Sequence, residues 1–284
     1  MRLKDAEFKD HYLDLFPPDV PDVSELLDDV LMNVKLRDEL KPMVAWAYSY
    51  LHKYREGWKT LIQQHLAAGR IQPSNSDYVS PAFIVPKVDL NVLPRWVNDY
   101  WKLNVNTIAD NHPLPLVGDI LRDCAGHKNY GKIDMTNSFF QMKMHPDSIK
   151  FTAVNTPFRL YEWLVMPMGL WNSPAVHQQR VFAVLRDLIG KICHVYLDNI
   201  IIWSNTLIEH EHNVALVLEA LWKASLYCSV WKSILFCTEV DFLGHHISER
   251  GIEANPKKVE RIQNWPINGP SHLSTLKHGN CQYC

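Results

Sequence analysis

Two β-prone segments separated by a polar pair most constrain the fold of this chain. Residues 192–197 and 200–203 are rich in branched and aromatic side chains, and only Asp198 and Asn199 lie between them. Because Asp and Asn accept the positive φ values of tight turns, this pattern predicts a two-residue β-hairpin. A second apolar run of strand type ends in Asp134. The pattern therefore predicts strands that each end in a carboxylate.

Carboxylates at strand ends can hold divalent metal ions once the fold brings them together. In nucleotidyl transfer, one metal lowers the pKa of the attacking hydroxyl group and a second neutralises the departing pyrophosphate. Asp134 and Asp198 are therefore candidate metal ligands of a nucleotidyl transferase. The chain has 31 acidic residues, so a chance pairing of two strand-end acids is the alternative that the residues alone leave open.

The composition is typical of a globular protein. The 284 residues, 47% of them hydrophobic, are enough to bury the core of one large domain or two small ones. No apolar run approaches the ~18 residues of a membrane-spanning helix, and the first residues are charged, unlike a signal peptide. We therefore expect a soluble, intracellular protein with no membrane partner.

The cysteine pattern favours free thiols over a disulfide framework. The six cysteines are scattered, and without a secretory signal they are expected to be reduced and buried. His278, Cys281 and Cys284 have a spacing that would suit zinc. Three ligands at a terminus are nevertheless weak evidence for a tetrahedral metal centre.

Charge is distributed unevenly along the chain. Residues 1–40 contain eleven Asp and Glu against five Lys and Arg, whereas the remainder has twenty acids and twenty-four bases. The stretch 16–22 contains three prolines and two acids, which is typical of a linker. We expect residues 1–40 to form an acidic leader outside the core, and the positive remainder to suit a groove that binds phosphates.

Periodicity predicts helices and strands without the regular alternation of a parallel sheet. Apolar side chains at three- and four-residue spacing predict helices over 46–68, 117–125, 174–188 and 214–226. Apolar runs predict a hairpin within 82–100 and strands at 151–154, 160–166, 240–243 and 246–248. This mixture favours an α+β fold.

An ordered series of motifs resembles one protein family. Residues 196–204 resemble the Tyr-x-Asp-Asp hairpin of reverse transcriptases, and 132–134 with 138–141 resemble their first aspartate motif. Further matches occur at 85–87, Arg95, 99–100, 103–104, 161–170, 172–175, Lys232 and 242–245. The series is similar to the polymerase of long-terminal-repeat retrotransposons of the Ty3/gypsy kind, over about residues 60–266.

The resemblance implies an architecture. Residues 41–250 would form the fingers and the palm, the palm being an antiparallel sheet with packed helices. The implied boundaries are 65–109 and 142–172 for the fingers, 110–141 and 173–250 for the palm, and 251–284 for the start of a truncated thumb.

The resemblance also implies roles at the reaction centre. Asp134 and Asp198 would hold two Mg²⁺ ions, or Mn²⁺, with help from the backbone carbonyl of Met135. Lys232 would protonate the pyrophosphate as a general acid. The implied partners are a primed RNA or DNA template and deoxynucleoside triphosphates.

A second group of residues would contact the nucleotide and the primer. Lys87 and Arg95 would hold the triphosphate, Phe139 would exclude ribonucleotides at the sugar 2′ position, and Met168 would lie near the template base. The primer grip would comprise Phe242, Leu243 and Gly244. Without the family, Lys87 and Arg95 are better interpreted as solvated surface cations. Phe139 would equally suit a core aromatic, and residues 242–244 would equally suit a buried strand that turns at a glycine.

One departure from the family pattern bears directly on activity. Asn199 takes the place of the second hairpin aspartate, which keeps the turn but removes one formal charge beside the two metal ions. At ~4 Å and an effective dielectric constant of ~20, a unit-charge interaction is worth roughly 4 kcal/mol. Because ~1.4 kcal/mol changes a rate tenfold, even part of this interaction predicts a loss of about a hundredfold or more.

The sequence supports two hypotheses about activity. The first is an RNA-directed DNA polymerase domain that transfers nucleotides to a primer 3′-hydroxyl with two metal ions. The second is a catalytically impaired or inactive remnant that at most binds nucleic acid. Asn199 motivates the second, as do Trp101 and Arg159 in place of the family's usual Arg and Gly, and a stretch, 271–284, that departs from the expected helix.

Overall fold

A computed structural model describes residues 1–39, 43–45, 48, 52–87, 89 and 92–265. Its α-helices are α1 Arg2–His11, α2 Arg55–Ala67, α3 Trp101–Asn106, α4 Val117–Cys124, α5 Pro146–Ile149, α6 Ser173–Leu185, α7 Leu207–Lys223 and α8 Pro256–Gln263. Its first strands are β1 Leu31–Met32, β2 Ile71–Pro73, β3 Ser80–Val85, β4 Arg95–Asn98, β5 Asn129–Asp134, β6 Lys143–Met144 and β7 Val154–Asn155. The later strands are β8 Leu160–Trp163, β9 Cys193–Tyr196, β10 Asn199–Ser204, β11 Ile234–Cys237, β12 Glu239–Phe242, β13 His245–Ser248 and β14 Gly251–Ala254. Short 3₁₀ helices cover Leu13–Leu15, Val23–Glu25, His52–Tyr54, Ser138–Gln141 and Lys150–Thr152.

The central sheet has the strand order β11-β5-β10-β9 and is antiparallel throughout. Branched side chains build its strands, and Ile133, Val195 and Ile200 are at most 1% exposed. They form one buried cluster with Val181 of α6 and Leu218 of α7. Burial of this apolar face against two helices holds the ends of β5 and β10 in place.

The outer sheet has the order β2-β8-β7-β3-β4, in which β3 and β7 are parallel and the other pairs are antiparallel. Helix α2 packs on it through Trp58, whose ring centroid lies 4.8 Å from that of Trp96. Trp96 in turn lies 5.3 Å from Trp163 of β8. These edge-to-face aromatic contacts form the centre of the outer sheet's core.

A third sheet, β12-β13-β14, packs beside the central sheet. Val240, Phe242 and Ile247 are at most 5% exposed and share a cluster with Tyr130 and Trp203 of the central sheet. Strands β1 and β6 form a separate parallel pair. Across the described residues, sheets with helices packed on them and without regular βαβ repetition confirm the predicted α+β class.

The expectation that residues 1–40 lie outside the core is wrong. Leu15 and Phe16 belong to the core behind the central sheet. Val20 and Met32 belong to the core of the outer sheet. All four side chains are at most 5% exposed. The net acidity of the segment concealed this, because its apolar side chains are interspersed among the acids and several of them pack into the two cores.

Most other elements follow the predictions with shifted ends, but the predicted strand 151–154 is wrong over its first half, where Lys150–Thr152 form a 3₁₀ helix. Helices α4 and α6 and the β3–β4 hairpin lie where expected. Helix α2 begins only at Arg55, after a 3₁₀ turn. Helix α7 begins at Leu207, before the predicted 214, because Thr206 and Glu209 form a reciprocal capping box.

Two sets of predictions remain outside this description. The zinc candidates His278, Cys281 and Cys284, and the unexpected stretch 271–284, lie beyond the described residues. The domain boundaries inferred from the resemblance stay predictions. Within the described part of the chain, no helix combines the length and the apolar character that crossing a bilayer requires.

Candidate active site

The β9–β10 hairpin carries its turn one residue earlier than the sequence predicted. Leu197 and Asp198 form the turn, with Leu197 at φ 54°, and Asn199 is already the first residue of β10. Asn199 pairs with Tyr196 on one side and with Asp134 on the other. Pairing with two neighbouring strands therefore determines the register, and it outweighs the turn preference of Asp and Asn.

The structure brings Asp134 and Asp198 together. Asp134 ends β5 directly opposite Asn199, and the backbone N–H of Met135 donates to the carbonyl of Asp198 at 2.9 Å. The backbone of Asp134 is held on its other side, because its N–H donates to Ser233 Oγ at 3.1 Å. Its carbonyl accepts from the N–H of Ser229 at 2.8 Å. The Asp134 carboxylate therefore stands on a strand end that is held from two sides, and the Asp198 carboxylate stands on the hairpin turn that is hydrogen-bonded to Met135, the residue after this strand.

Two side chains contact these carboxylates. Lys232 Nζ lies 3.1 Å from Asp134 Oδ1, and the side chain of Lys232 is 67% exposed whereas that of Asp134 is 13% exposed. Asn199 donates from Nδ2 to Asp198 Oδ1 at 2.8 Å. Asn199 thus satisfies one lone pair of Asp198 but adds no negative charge to the site.

The electrostatics of the pair suit a cation. Burial raises the pKa of the Asp198 carboxyl, and the neighbouring charge of Asp134 raises that pKa further, against smaller opposing effects of Lys232 and Asn199. Over the described ranges, no group of three or more His, Cys, Asp or Glu side chains converges as a metal site. The donor set therefore fits a divalent ion shared by two carboxylates, with one charge fewer than a third acid in place of Asn199 would supply.

A cleft of about 690 Å³ opens beside the two carboxylates. It lies between the central and outer sheets, since Asp198 and Met135 line one side and Trp96 and Trp163 line another. The residues predicted from the sequence that line it are Lys87, Arg95, Met135, Phe139, Met168, Asp198 and Lys232. A single cavity thus gathers the candidates for metal, triphosphate and sugar contacts.

The two candidate triphosphate ligands stand at one end of the β3–β4 hairpin. Arg95 begins β4 and pairs with Val85, and Lys87 follows two residues after the end of β3. Both side chains are exposed and line the cleft. Exposed cations on a rigid hairpin are suited to bind phosphates because little desolvation opposes the contact.

Phe139 lies on a short helical turn directly after β5. The turn, Ser138–Gln141, follows Asn137, which adopts the left-handed conformation at φ 42°. The ring of Phe139 lies 5.5 Å from that of His177. Burial, with a smaller contribution from Arg180, lowers the pKa of His177 to about 3, so the His177 ring beside Phe139 is neutral at pH 7.

The predicted primer-grip residues lie outside the cleft. Phe242 is 1% exposed and packs in the core between the central and third sheets. Leu243 and Gly244, both at positive φ, form the two-residue turn between β12 and β13. Their proposed contact is with the primer rather than the nucleotide, and it stays a prediction.

Sequence reasoning missed one residue that shapes the hairpin. Gln178 of α6 is 1% exposed. Its Oε1 accepts from the N–H of Leu197 at 2.7 Å, and its Nε2 donates to the carbonyl of Val195 at 3.2 Å. The sequence did contain a signal for Gln178, because it lies three residues before Val181 on the apolar face of the predicted helix. A polar side chain in such a position needs a buried hydrogen-bond partner.

The sequence model of one family, described as "Reverse transcriptase (RNA-dependent DNA polymerase)", matches residues 84–247. The retrovirus-related Pol polyprotein of transposon opus from Drosophila melanogaster is 36% identical over 261 residues, covering 90% of this chain and 26% of that polyprotein. The corresponding polyprotein of transposon 297 from the same organism is 40% identical over 229 residues, with 80% and 22% covered. That of transposon gypsy is 32% identical over 230 residues, with 80% and 22% covered. The chain thus spans about a quarter of the length of these relatives.

Solved structures agree with the sequence relatives. A foamy viral protease-reverse transcriptase in complex with an RNA/DNA hybrid matches with a TM-score of 0.83 and 26% identity, covering 96% of this chain and 36% of that one. A foamy viral protease-reverse transcriptase described as dRH, in complex with double-stranded DNA, matches with a TM-score of 0.79 and 25% identity, covering 96% of this chain and 47% of that one. Together with a family match over more than half of the chain, these similarities show that the chain belongs to the reverse transcriptase family and is of the Ty3/gypsy retrotransposon type.

Proposed function

We propose that this chain is an RNA-directed DNA polymerase domain that adds deoxynucleotides to the 3′-hydroxyl of a primer. The observation that carries the proposal is the convergence of Asp134 and Asp198 beside a cleft that also holds the cations Lys87 and Arg95. Paired carboxylates can bind the metal ions, and the exposed cations beside them can bind the phosphates, so the site is complementary in charge to a metal-bound nucleoside triphosphate.

Asp134, Asp198 and the backbone carbonyl of Met135 would hold two Mg²⁺ ions, with Mn²⁺ as a substitute. When bound, these ions supply activation of the primer hydroxyl and neutralisation of the pyrophosphate. The chain's own contribution is rigidity, because Asp134 ends a strand whose backbone is hydrogen-bonded on both sides and Asp198 lies in the tight turn between two paired strands.

Lys87 and Arg95 bind the triphosphate in this proposal, and Arg95 can use its planar fork on two phosphate oxygens. Phe139 contacts the sugar and leaves no room for a 2′-hydroxyl, while Met168, which is 39% exposed, contacts the base-pair region. These roles are supported by the exposure of all four residues to one cleft.

Lys232 acts as the general acid. Its ammonium group, now 3.1 Å from Asp134, is carried by a largely exposed side chain that can turn towards a pyrophosphate oxygen and donate a proton to it. The turn formed by Leu243 and Gly244 aims the primer end, supported by its rigid place between β12 and β13.

The template and primer are nucleic acids. The foamy viral neighbours were solved with an RNA/DNA hybrid and with double-stranded DNA, which supports the same class of partner for this chain. The inactive-remnant alternative is less well supported, since the hairpin, both carboxylates and the cleft are all formed. Asn199 is proposed to slow the reaction rather than to abolish it.

Primer extension on an RNA template tests the proposal. This chain is compared with Asn199→Asp, which restores a third carboxylate, and with Asp134→Asn, which removes one metal ligand. We expect slow extension by this chain, extension at least about a hundredfold faster with Asn199→Asp, and none with Asp134→Asn. Absence of extension from both this chain and Asn199→Asp would refute the polymerase assignment. Equal rates for these two proteins would refute the charge argument alone.

A further inference from the structure

The first part of the chain connects the two cores beside the cleft. We define the N-terminal strap as residues 13–32. Leu15 and Phe16 anchor its beginning in the core of the central sheet. Val20, Leu26 and Met32 anchor the rest in the core of the outer sheet. The strap therefore passes from one wall of the cleft to the other.

Acidic residues of the strap pair with cations of the body. Asp28 lies 2.9 Å from Lys143 Nζ. Asp29 contacts the guanidinium of Arg180, whose side chain is 2% exposed, with N to O distances of 2.9 and 3.0 Å. These acidic residues, which suggested a solvated leader, thus neutralise the positive charges of buried or largely buried cations.

Asp19 differs from the other strap acids because it lines the cleft itself. Its Oδ2 lies 2.9 Å from the guanidinium of Arg70, which is 5% exposed. Its Oδ1 accepts from Asn137 Nδ2 and from the N–H of Val20, each at 2.8 Å. Arg70 also donates to the carbonyl of Val20 at 3.0 Å, so this part of the strap is held from two sides.

Asn137 transmits this contact to the sugar-facing side of the cleft. It is a non-glycine residue at φ 42°, a conformation that needs support from its surroundings. Its carbonyl accepts from the N–H of Phe140 at 2.8 Å, and the carbonyl of Phe139 accepts from the N–H of Met142 at 3.3 Å. The position of Phe139 thus depends on the conformation of Asn137.

We propose that Asp19 is a positioning residue for sugar selection, which acts by holding Asn137 and thereby keeping Phe139 in place against the nucleotide sugar. The inference rests on the proposed polymerase function and on the assignment of Phe139 to the sugar. Asp19 does not touch the nucleotide in this proposal. Loss of its hydrogen bond loosens the turn, and a looser Phe139 admits a 2′-hydroxyl group.

Two measurements test the proposal on the full chain. The first is kcat/KM for dATP divided by kcat/KM for ATP in single-nucleotide insertion. It is measured in the Asn199→Asp variant, because that protein is expected to be faster and therefore easier to measure. We expect Asp19→Ala to lower this ratio about tenfold, chiefly through better use of ATP, because the hydrogen bond that holds Asn137 is lost. Asp19→Asn keeps an acceptor for Asn137 and should retain the ratio. Asp28→Ala, a strap acid that does not line the cleft, is the matched control and should leave the ratio unchanged.

The second measurement needs no activity. Hydrogen exchange of a peptide covering 136–142 should become faster in Asp19→Ala, because the amides of Phe140 and Met142 belong to the loosened turn, and should stay unchanged in Asp28→Ala. Unchanged exchange in Asp19→Ala overturns the proposal. An equal fall of kcat/KM for dATP and ATP also overturns it, because it indicates a general structural role. If Asp19→Ala extends primers but its ratio of kcat/KM for dATP and ATP is unchanged, only the inference about Asp19 is refuted. If no extension occurs at all, the polymerase assignment is refuted, and hydrogen exchange of 136–142 alone tests whether Asp19 holds Asn137.

Discussion

Replacing Asn199 with Asp changes the charge of the reaction centre while nearly preserving side-chain size. In the native chain the amide of Asn199 donates to Asp198 Oδ1 at 2.8 Å. The variant loses that hydrogen bond and places a second carboxylate beside Asp198, whose pKa burial and Asp134 already raise. Without metal ions, we therefore expect the variant to be less stable than the native chain.

The magnitude follows from the geometry. Two unit charges ~4 Å apart at an effective dielectric constant of ~20 interact with roughly 4 kcal/mol. Asn199 is only half-buried, so solvent screening reduces the repulsion, and with the lost hydrogen bond we expect about 1 to 3 kcal/mol. At ~2 to 4 °C for each kcal/mol, this lowers Tm by roughly 2 to 12 °C. With Mg²⁺ bound, we expect Asn199→Asp to stabilise the protein instead, because three acidic groups then surround a dication.

Thermal unfolding of both proteins, in chelator and in excess Mg²⁺, measures this effect. Asn205→Asp is the matched control, since it adds the same charge just after the opposite end of β10. We expect Mg²⁺ to raise the Tm of Asn199→Asp more than that of the native chain or of the control. Equal stability of native chain and variant in chelator, or an equal gain with Mg²⁺, would refute the electrostatic reasoning.

Three further predictions concern other charges. Because the folded protein raises the pKa of Asp198, its ionised form opposes folding, and this cost grows as pH rises through that pKa. Asp198→Asn should therefore stabilise the metal-free protein at neutral pH, with a gain that disappears in acid, as pH-dependent urea unfolding will show. Asp29→Ala leaves the buried Arg180 without its carboxylate and should lower the free energy of unfolding by about 2 to 4 kcal/mol in urea titrations. Arg95→Ala should raise the KM for deoxynucleotides about tenfold or more in steady-state extension, while Arg122→Ala, an exposed cation outside the cleft, should leave it unchanged.

Apolar periodicity and β-propensity predicted many of the helices and strands, because these elements depend largely on interactions between residues that are close in the sequence. Helix α4 and the β3–β4 hairpin lie where periodicity placed them. The hairpin at Asp198 was expected from its β-prone flanks, and it is present. The turn, however, is shifted by one residue, because β5 pairs with β10 and Gln178 binds the N–H of Leu197. Those contacts join residues far apart in the chain, which a local pattern does not record.

The acidic start of the chain shows the opposite limit. Composition predicted a solvated leader, whereas the structure uses the segment as a strap that fills both cores and pairs with buried cations. The count of acidic residues was correct, but the sequence did not show which cations these acids pair with. Arg180 and Asp29 are paired only because the fold brings distant segments together.

By itself, the sequence determined the family, the α+β class and the identity of the candidate catalytic side chains, because ordered motifs and residue chemistry are properties of the chain. Only the tertiary structure decided that Asp134 and Asp198 meet, that Lys87, Arg95 and Phe139 share one cleft with Asp198, and that Asp19 reaches into it. The physical reason is that strand register and long-range hydrogen bonds depend on which surfaces are buried together. That burial is a property of the whole folded chain.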